Sequence, residues 1–542
     1  MSLATGLFVA AVVVPPGWRH AVLWPDTIHY LGIANAWVNG AGFVDPIKWN
    51  FFLDVPAPLP AFAVSPPLPS LLAAIPLALG HGVAAIAGWH AALVALVATG
   101  IVLFAHRMMS LTASVAVALL VTLSPGVIIL ALVPLADIPA LVTLLLVLLS
   151  AGSILTSARG AVLCALATVL AWLARPNLGA LSLAVVVSVI WEIGPRRALR
   201  HRPAWLYLVT FVASLVALDV TARASTGRAP YEGYGFMYQI SWAIDAMSYG
   251  YKYVGAATFV SGHLGLVAQR GLSNVQVLVS ALFVQPVFHR IGWIAVPGIA
   301  YCALLPGRGR FERRLSALAA AGLLATVLTT WSALDPLRYP LPAVLCGALC
   351  GGALVDDLVR ATLVRLPPRA RSVATIVGTM LLAATVGWWL VDFGFAQLTT
   401  NVAIVDDYLH GGVAAPPERA GSRLVRDLCR HITRGEIVAA SDPWSVHLMC
   451  GNPVVLLPTD LNGSLSRQAR FMSEQAPRFF IANASDERAR WVQSAGFRLI
   501  AKSGEASLYE SSKAPPNATP WAQPPPLGCA GLPAACREEV GR

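Results

Sequence analysis

Long apolar runs divide this chain from end to end, eleven of them in all, and that pattern limits the fold more than any motif does. Water is absent from the lipid core, so only helices or closed barrels, which satisfy their own backbone polar groups, can cross it. Runs of roughly 17–25 residues match the hydrocarbon thickness as helices. The composition agrees: 57% of the residues are hydrophobic and only 12% are charged, and the mean hydropathy is +0.67. These values exclude a water-soluble globular domain. The sequence therefore predicts an α-helical polytopic membrane protein of about 11–13 spans. Spans are expected near residues 3–23, 83–105, 111–130, 140–155, 160–174, 178–194, 205–222, 277–304, 315–331, 338–356 and 373–391. Pro15, Pro16 and Arg19 interrupt the first. It also has the length of a signal peptide, but no small-residue cleavage site follows it.

Arginine sets the orientation. Arg196, Arg197, Arg200 and Arg202 crowd one loop, Arg308, Arg310, Arg313 and Arg314 a second, and Arg360, Arg365, Arg369 and Arg371 a third. By the positive-inside rule these loops are cytoplasmic. Counting outward from them puts the N-terminus in the cytoplasm. Asp26, Asp137, Arg175, Asp335 and the region after residue 392 then share the outer face. The expectation is a multi-pass protein of the inner (plasma) membrane with an extracytoplasmic C-terminus. The formal net charge of +11 is largely this topological arginine plus a basic tail, so it argues for no nucleic-acid partner.

Three regions are expected: a transmembrane domain over 1–391, an extracytoplasmic α/β domain over 392–512 and a loosely ordered tail over 513–542. Residues 24–82 form the first outer loop. Its second half, SPPLPSLLAAIPLALG, is broken by Pro66, Pro67, Pro69 and Pro76, so it should lie in or dip into the interface rather than cross. A second outer stretch, 223–276, carries YEGYGFMYQISWAIDAMSYGYKY, whose aromatics suit a membrane interface. Within 413–512, EIVAAS, PVVLLP, RFFIANA and FRLIAKS read as short buried strands, and PWSVHLMC, LSRQARFMSEQ and SDERARWVQSAG as helices. Such alternation predicts a parallel or mixed sheet covered on both faces. It holds no Gly-rich phosphate fingerprint. Cys164, Cys302, Cys346 and Cys350 fall in spans, whereas Cys429, Cys450, Cys529 and Cys536 fall in the outer region. There the pairings to test are Cys429 with Cys450 and Cys529 with Cys536.

The outer-face polar residues come in a characteristic order. WPDTIHYLGIANAWVNGAGFVDP places Asp26 just after the first span, followed by His29, Tyr30, Ala34, Gly40 and Phe43. SPPLPSLLAA follows, then LADIPA with Asp137, LARPN with Arg175, and DPLRYPLPA with Asp335, Arg338 and Tyr339. This order over residues 24–342 resembles the GT-C superfamily of integral membrane glycosyltransferases. The branch it resembles includes protein O-mannosyltransferases and the bacterial aminoarabinose transferases that act on lipid A. The resemblance implies a GT-C fold, a polyprenyl-phosphate sugar donor, and a glycan, lipid or protein acceptor of the cell envelope. Two departures matter. Ser65 stands before Pro66-Pro67 where aminoarabinose transferases have Lys, and Asp26-Thr27 stands where protein mannosyltransferases have an acidic pair. Neither substrate carries over.

The chemistry gives these residues roles of its own accord. Nucleotide sugars stay in the cytoplasm, so an outer-face transferase needs a lipid-linked donor and a cleft open to the bilayer. An acceptor hydroxyl needs a base, and Asp26, at the edge of a low-dielectric region, is expected to have a raised pKa and to serve. Asp137 is the second candidate catalytic carboxylate. The leaving phosphate gains negative charge, and Arg338 and Arg175, with Tyr339, are placed to receive it. His29, Tyr30 and Asp335 are candidate sugar or acceptor contacts. Single displacement would invert the anomeric centre. Plainer roles stay open: Asp26 and Asp137 as helix caps, Arg175 and Arg338 as interfacial anchors, and Asp335 as a salt-bridge partner of Arg338. Asp26 with His29 would be a sparse ligand set for a divalent metal. A glycan ligase or polymerase, or a transporter or flippase of a lipid-linked sugar, are the rival functions. Transport usually places ionisable groups at mid-membrane, and the main candidate here, Asp219, lies toward a span end.

Overall fold

The structure is a computed structural model. It describes residues 1–19, 25–48, 58–81, 83–233, 256–305, 307–330, 338–365, 367, 420–433, 435–458, 461, 464–483, 491–492 and 497–511. The span expected at 373–391, the boundary at 392, Asp335, Cys529, Cys536, the tail, and most of the 231–253 aromatic run and of the SDERARWVQSAG helix lie outside the described residues.

Helices dominate up to residue 365. They are α1 (Ser2–Arg19), α2 (Pro25–Val38), α3 (Pro67–Ala78), α4 (Val83–Ala105), α5 (Leu111–Thr122), α6 (Pro125–Leu132), α7 (Asp137–Ala151), α8 (Ala158–Ala174), α9 (Ala180–Ile193), α10 (Arg202–Thr226), α11 (Leu264–Val279), α12 (Gly292–Leu304), α13 (Arg310–Thr330) and α14 (Leu341–Val364). Among the described residues six helical stretches are long and apolar enough to cross a membrane, and α5 with α6, bent by 58°, makes a seventh. The protein is thus a multi-pass α-helical membrane protein. Two spans expected to be continuous are broken. The stretch at 111–130 bends where Ser124 turns extended ahead of Pro125, as the residue before a proline is driven to do. The stretch at 277–304 divides because α11 runs through a π turn, Ser280–Val284, and halts before Pro286, with α12 starting only at Gly292; proline lacks the donor needed to go on.

Close helix packing depends on small residues. A Cβ on Gly298 of α12 would lie 2.4 Å from the backbone nitrogen of Gly351 on α14, so these two backbones touch, as helices in lipid do when glycines face each other. At one end of the bundle, arginines and carboxylates tie the loops. Buried Arg313 pairs with Asp357 and donates to the Met108 carbonyl at 2.8 Å, Arg310 and Arg314 pair with Glu192, and Arg360 pairs with Asp356.

The α/β unit is a mixed six-stranded sheet in the order β2-β5-β4-β6-β8-β7. Its strands are β2 (Ile47–Lys48), β4 (Val438–Ala440), β5 (Val454–Leu456), β6 (Phe479–Asn483), β7 (Arg498–Ser503) and β8 (Ala506–Glu510). The first four in the sheet order run parallel, β8 runs antiparallel to them, and β7 pairs antiparallel with β8. Four strands match the expected segments. Two were not foreseen: β8, reached by a turn in which Gly504 has φ +55, and β2, which comes from the 24–82 loop. The same loop also pairs β1 (Val44–Asp45) with β3 (Leu59–Pro60). FRLIAKS, expected as a buried strand, is instead the partly exposed edge strand β7. Helices α15 (Ala420–Cys429), α16 (Pro443–Cys450) and α17 (Leu465–Gln475) pack with the sheet. The expected Cys429–Cys450 disulfide joins α15 to α16.

Gly298→Leu is expected to lower unfolding stability in detergent by about 1–3 kcal/mol through overpacking. Gly322→Leu, at a position with no atom within 4 Å of the added Cβ, is expected to leave it unchanged. Equal shifts in the two thermal unfolding curves would contradict the close approach of α12 and α14.

Candidate active site

Four helix ends bring the site together. Asp26 lies in the first turn of α2 and Asp137 in the first turn of α7, where the helix dipole favours a negative charge. Asp137 is not a cap: the N-cap is Ala136, and no side-chain cap bond forms. At the end of α8, Arg175 is extended, with φ −160 and ψ 119, because Pro176 follows it and disfavours the helical conformation. Arg338 precedes α14, whose N-cap is Pro340.

These residues form one chain of ion pairs. Arg338 donates from Nη1 to Asp26 at 2.7 Å and from Nε to Asp137 at 3.1 Å. Arg175 donates to the other oxygen of Asp137 and to the Arg338 carbonyl at 3.0 Å. The Arg175 guanidinium also lies over the Tyr339 ring, 4.8 Å from its centroid. Side-chain exposure drops inward from 46% at Asp26 to 13% at Arg338 and 0% at Asp137, and is 8% at Arg175 beyond it. Arg175 is buried and Arg338 partly so, and both are paired with carboxylates. The one open end of the array is Asp26.

The electrostatics of Asp26 differ from the sequence expectation. Burial pushes its carboxyl up, but the Arg338 guanidinium, with the charges of His29 and Arg175, outweighs burial and holds it below the ordinary 3.8. A raised pKa was expected because the sequence could not place Arg338 beside it.

One helical turn from Asp26, His29 connects α2 to the α/β unit. Its Nδ1 lies 2.8 Å from Asp45, which also accepts from the Ile47 amide at 3.0 Å. The Trp444 indole of α16 donates to His29 Nε2 at 2.9 Å. Burial disfavours charge on His29, while the Asp45 and Asp26 carboxylates outweigh this and raise its pKa. An indole N–H only donates, so the Trp444 bond belongs to the neutral imidazole and a proton on Nε2 would displace it. The contact continues through apolar packing of Ile28, Leu31 and Ile47 against Leu448 and Met449. At Gly32 an added Cβ would meet Pro46 at 2.9 Å and His447 at 3.1 Å. Sequence reasoning missed Asp45, Trp444 and His447. No spacing signal could have linked His29 to Trp444, which are 415 residues apart.

Tyr30 is buried and lines a narrow pocket with Trp89, His90, Pro134 and Pro139. Arg338 holds Asp26, and Asp45 and Trp444 hold His29. Among the described residues no group of three His, Cys, Asp or Glu side chains fit to hold a metal is present.

Neither a protein-family model nor a curated protein matches the sequence. Solved structures do match the fold. ArnT from Cupriavidus metallidurans, bound to undecaprenyl phosphate, superposes with a TM-score of 0.55 at 15% identity, over 95% of this chain and 98% of that one. The archaeal oligosaccharyltransferase AglB from Archaeoglobus fulgidus, in complex with an inhibitory peptide and a dolichol-phosphate, gives 0.52 at 11% identity, over 95% and 75%. The chain has the GT-C fold of membrane glycosyltransferases, as the resemblance of its motifs implied.

Asp137→Asn leaves two buried guanidiniums short of a counter-charge and is expected to cost about 3–5 kcal/mol. Asp26→Asn removes a half-exposed partner and should cost far less. Unfolding of the two variants in detergent checks this, and an equal loss would contradict the burial gradient along the array.

Proposed function

We propose that this chain transfers a sugar from a polyprenyl-phosphate donor to an acceptor hydroxyl at the extracytoplasmic face of the membrane, with inversion at the anomeric carbon. The observation that carries the reading is the ion array itself, a half-exposed carboxylate joined to Arg338 and, through buried Asp137, to Arg175 on a GT-C fold. The phosphorylated polyprenols held by ArnT and AglB support the donor class. The Cys429–Cys450 disulfide supports an outer, oxidising side for the α/β unit.

In this reading Asp26 takes the proton of the acceptor hydroxyl as its oxygen attacks the anomeric carbon. The bond from that carbon to the phosphate oxygen breaks, and the phosphate leaves with the electron pair. Arg338 and Arg175 stabilise the charge that develops on it. Asp137, whose two oxygens are both engaged, acts as a positioning residue that holds the arginines and does not touch substrate. Asp26 starts as a weak base because Arg338 depresses its pKa. A donor phosphate at Arg338 offsets that guanidinium, and burial then acts on Asp26 with less opposition. Donor binding thus raises the basicity of Asp26 when a base is needed. Tyr30 and His29 line the acceptor side, Tyr339 fixes Arg175 by cation–π contact, and Asp335 is a further sugar or acceptor contact in this scheme.

The test is transfer in proteoliposomes from a panel of radiolabelled polyprenyl-phosphate sugars to envelope acceptors. Asp26→Asn is expected to lower transfer by about 10²–10⁴-fold while the protein stays folded. Transfer from no donor would overturn the reading. The pH dependence carries a signature of its own. The rate falls as Asp26 is protonated, and kcat/KM reports the free enzyme whereas kcat reports the donor complex. The acid limb of kcat should therefore lie at higher pH than that of kcat/KM. Coincident limbs would contradict the sharing of Arg338 between Asp26 and the donor.

A further inference from the structure

The arginine-rich loops differ in a way that membrane topology alone does not explain. Arg310, Arg313, Arg314 and Arg360 each pair with a carboxylate. Arg196, Arg197, Arg200 and Arg202 are all exposed and have no ion-pair partner among the described residues. Arg196 and Arg197 lie in the short helix Pro195–Ala198, Arg200 follows it and Arg202 opens α10. Directly beside them lies a cavity of about 260 Å³ whose lining is almost wholly apolar.

The cavity sits between α9, α10 and the end of α7. Ile154, Val189, Leu199, Ala204 and Tyr207 are among its walls, and the Tyr207 hydroxyl is already satisfied by Thr168 at 3.2 Å. Pro195, Ala198 and Leu199 bring the arginine loop to its rim. The Trp205 indole fixes that rim by donating to the Leu199 carbonyl at 3.0 Å. The mouth opens sideways past residues that face away from the protein: Ile190 is 39% exposed, Trp205 48% and Leu199 69%. In a membrane protein such a surface meets lipid chains. The site is separate from the catalytic one, because at 1.5 Å per helical residue Val189 lies roughly 20 Å along the chain axis from Arg175.

An apolar slot open to the bilayer, beside several uncompensated cations at one end of the bundle, fits a ligand with a long apolar chain and an anionic head. Juxtamembrane arginine clusters attract anionic lipid headgroups, and guanidiniums match phosphate geometry. We propose that the cavity and its arginine rim bind an anionic phospholipid, one acyl chain entering between α9 and α10 and the phosphodiester lying on Arg196, Arg197, Arg200 and Arg202. The lipid would fasten the 195–202 loop to the ends of α9 and α10 and so supply the counter-charge that Glu192, Asp356 and Asp357 supply elsewhere.

The full-length protein, delipidated in mild detergent, would be titrated with phosphatidylglycerol, phosphatidylcholine or glycerol phosphate, with binding read by native mass spectrometry and by the unfolding temperature. Phosphatidylglycerol should bind and raise the unfolding temperature, phosphatidylcholine should do so far less, and glycerol phosphate, which has no chains, should do neither. Arg197→Gln with Arg200→Gln is expected to weaken phosphatidylglycerol binding about fivefold for each arginine removed. Ala204→Phe keeps every charge and fills the slot, and it should abolish the preference. Equal binding of the two phospholipids to the unaltered protein would overturn the proposal. So would undiminished phosphatidylglycerol binding in either variant, and each variant tests it separately should the other fail to fold.

Discussion

The guanidinium of Arg338 lies between two carboxylates that arrive on different helices, and the geometry of the candidate site follows from that position. Asp137 is fully buried between Arg338 and Arg175, and a buried carboxylate with one arginine removed would be far from stable. The ends of α7 and α8 and the segment before α14 are therefore locked together by charge. Asp26 joins the same guanidinium from α2 but stays half exposed. In the proposed reaction a donor phosphate competes with Asp26 for a cation whose orientation Asp137 has already fixed, which is the preorganisation that electrostatic catalysis requires.

The α/β unit is not an appendage to this site. It takes a strand from the first outer loop, so that β2 pairs with β5, and it grips α2 through the Asp45–His29–Trp444 contacts one turn from Asp26. The helix that carries Asp26 is clamped on one side by the membrane bundle, through Arg338, and on the other by the α/β unit.

Much of this was legible in the sequence, and the failures have physical causes. Apolar run length gave most membrane helices, because the lipid core imposes one length scale on all of them. It did not give the breaks at Pro125 and Pro286, where a proline within an apolar run redirects the chain without changing its hydropathy. Motif order gave Asp26, Asp137, Arg175 and Arg338 as one outer-face set, and the structure brings all four into contact. It did not give the sign of the Asp26 pKa shift, which depends on a partner 312 residues away. Strand β2 is two residues long, too short for any periodicity. Trp444 and Asp45 have roles only through long-range contacts that no local pattern encodes.

The claim on which the account rests is that Arg338 is shared between Asp26 and the donor phosphate. Its most direct test is the affinity of polyprenyl phosphate, without sugar, for the unaltered protein, Asp26→Asn and Arg338→Gln in nanodiscs of fixed lipid composition. The account predicts that Arg338→Gln weakens binding by tenfold or more, which is about 1.4 kcal/mol, and that Asp26→Asn tightens it by freeing the guanidinium and removing a nearby negative charge. Binding that is unchanged in Arg338→Gln, or weakened alike in both variants, would contradict it.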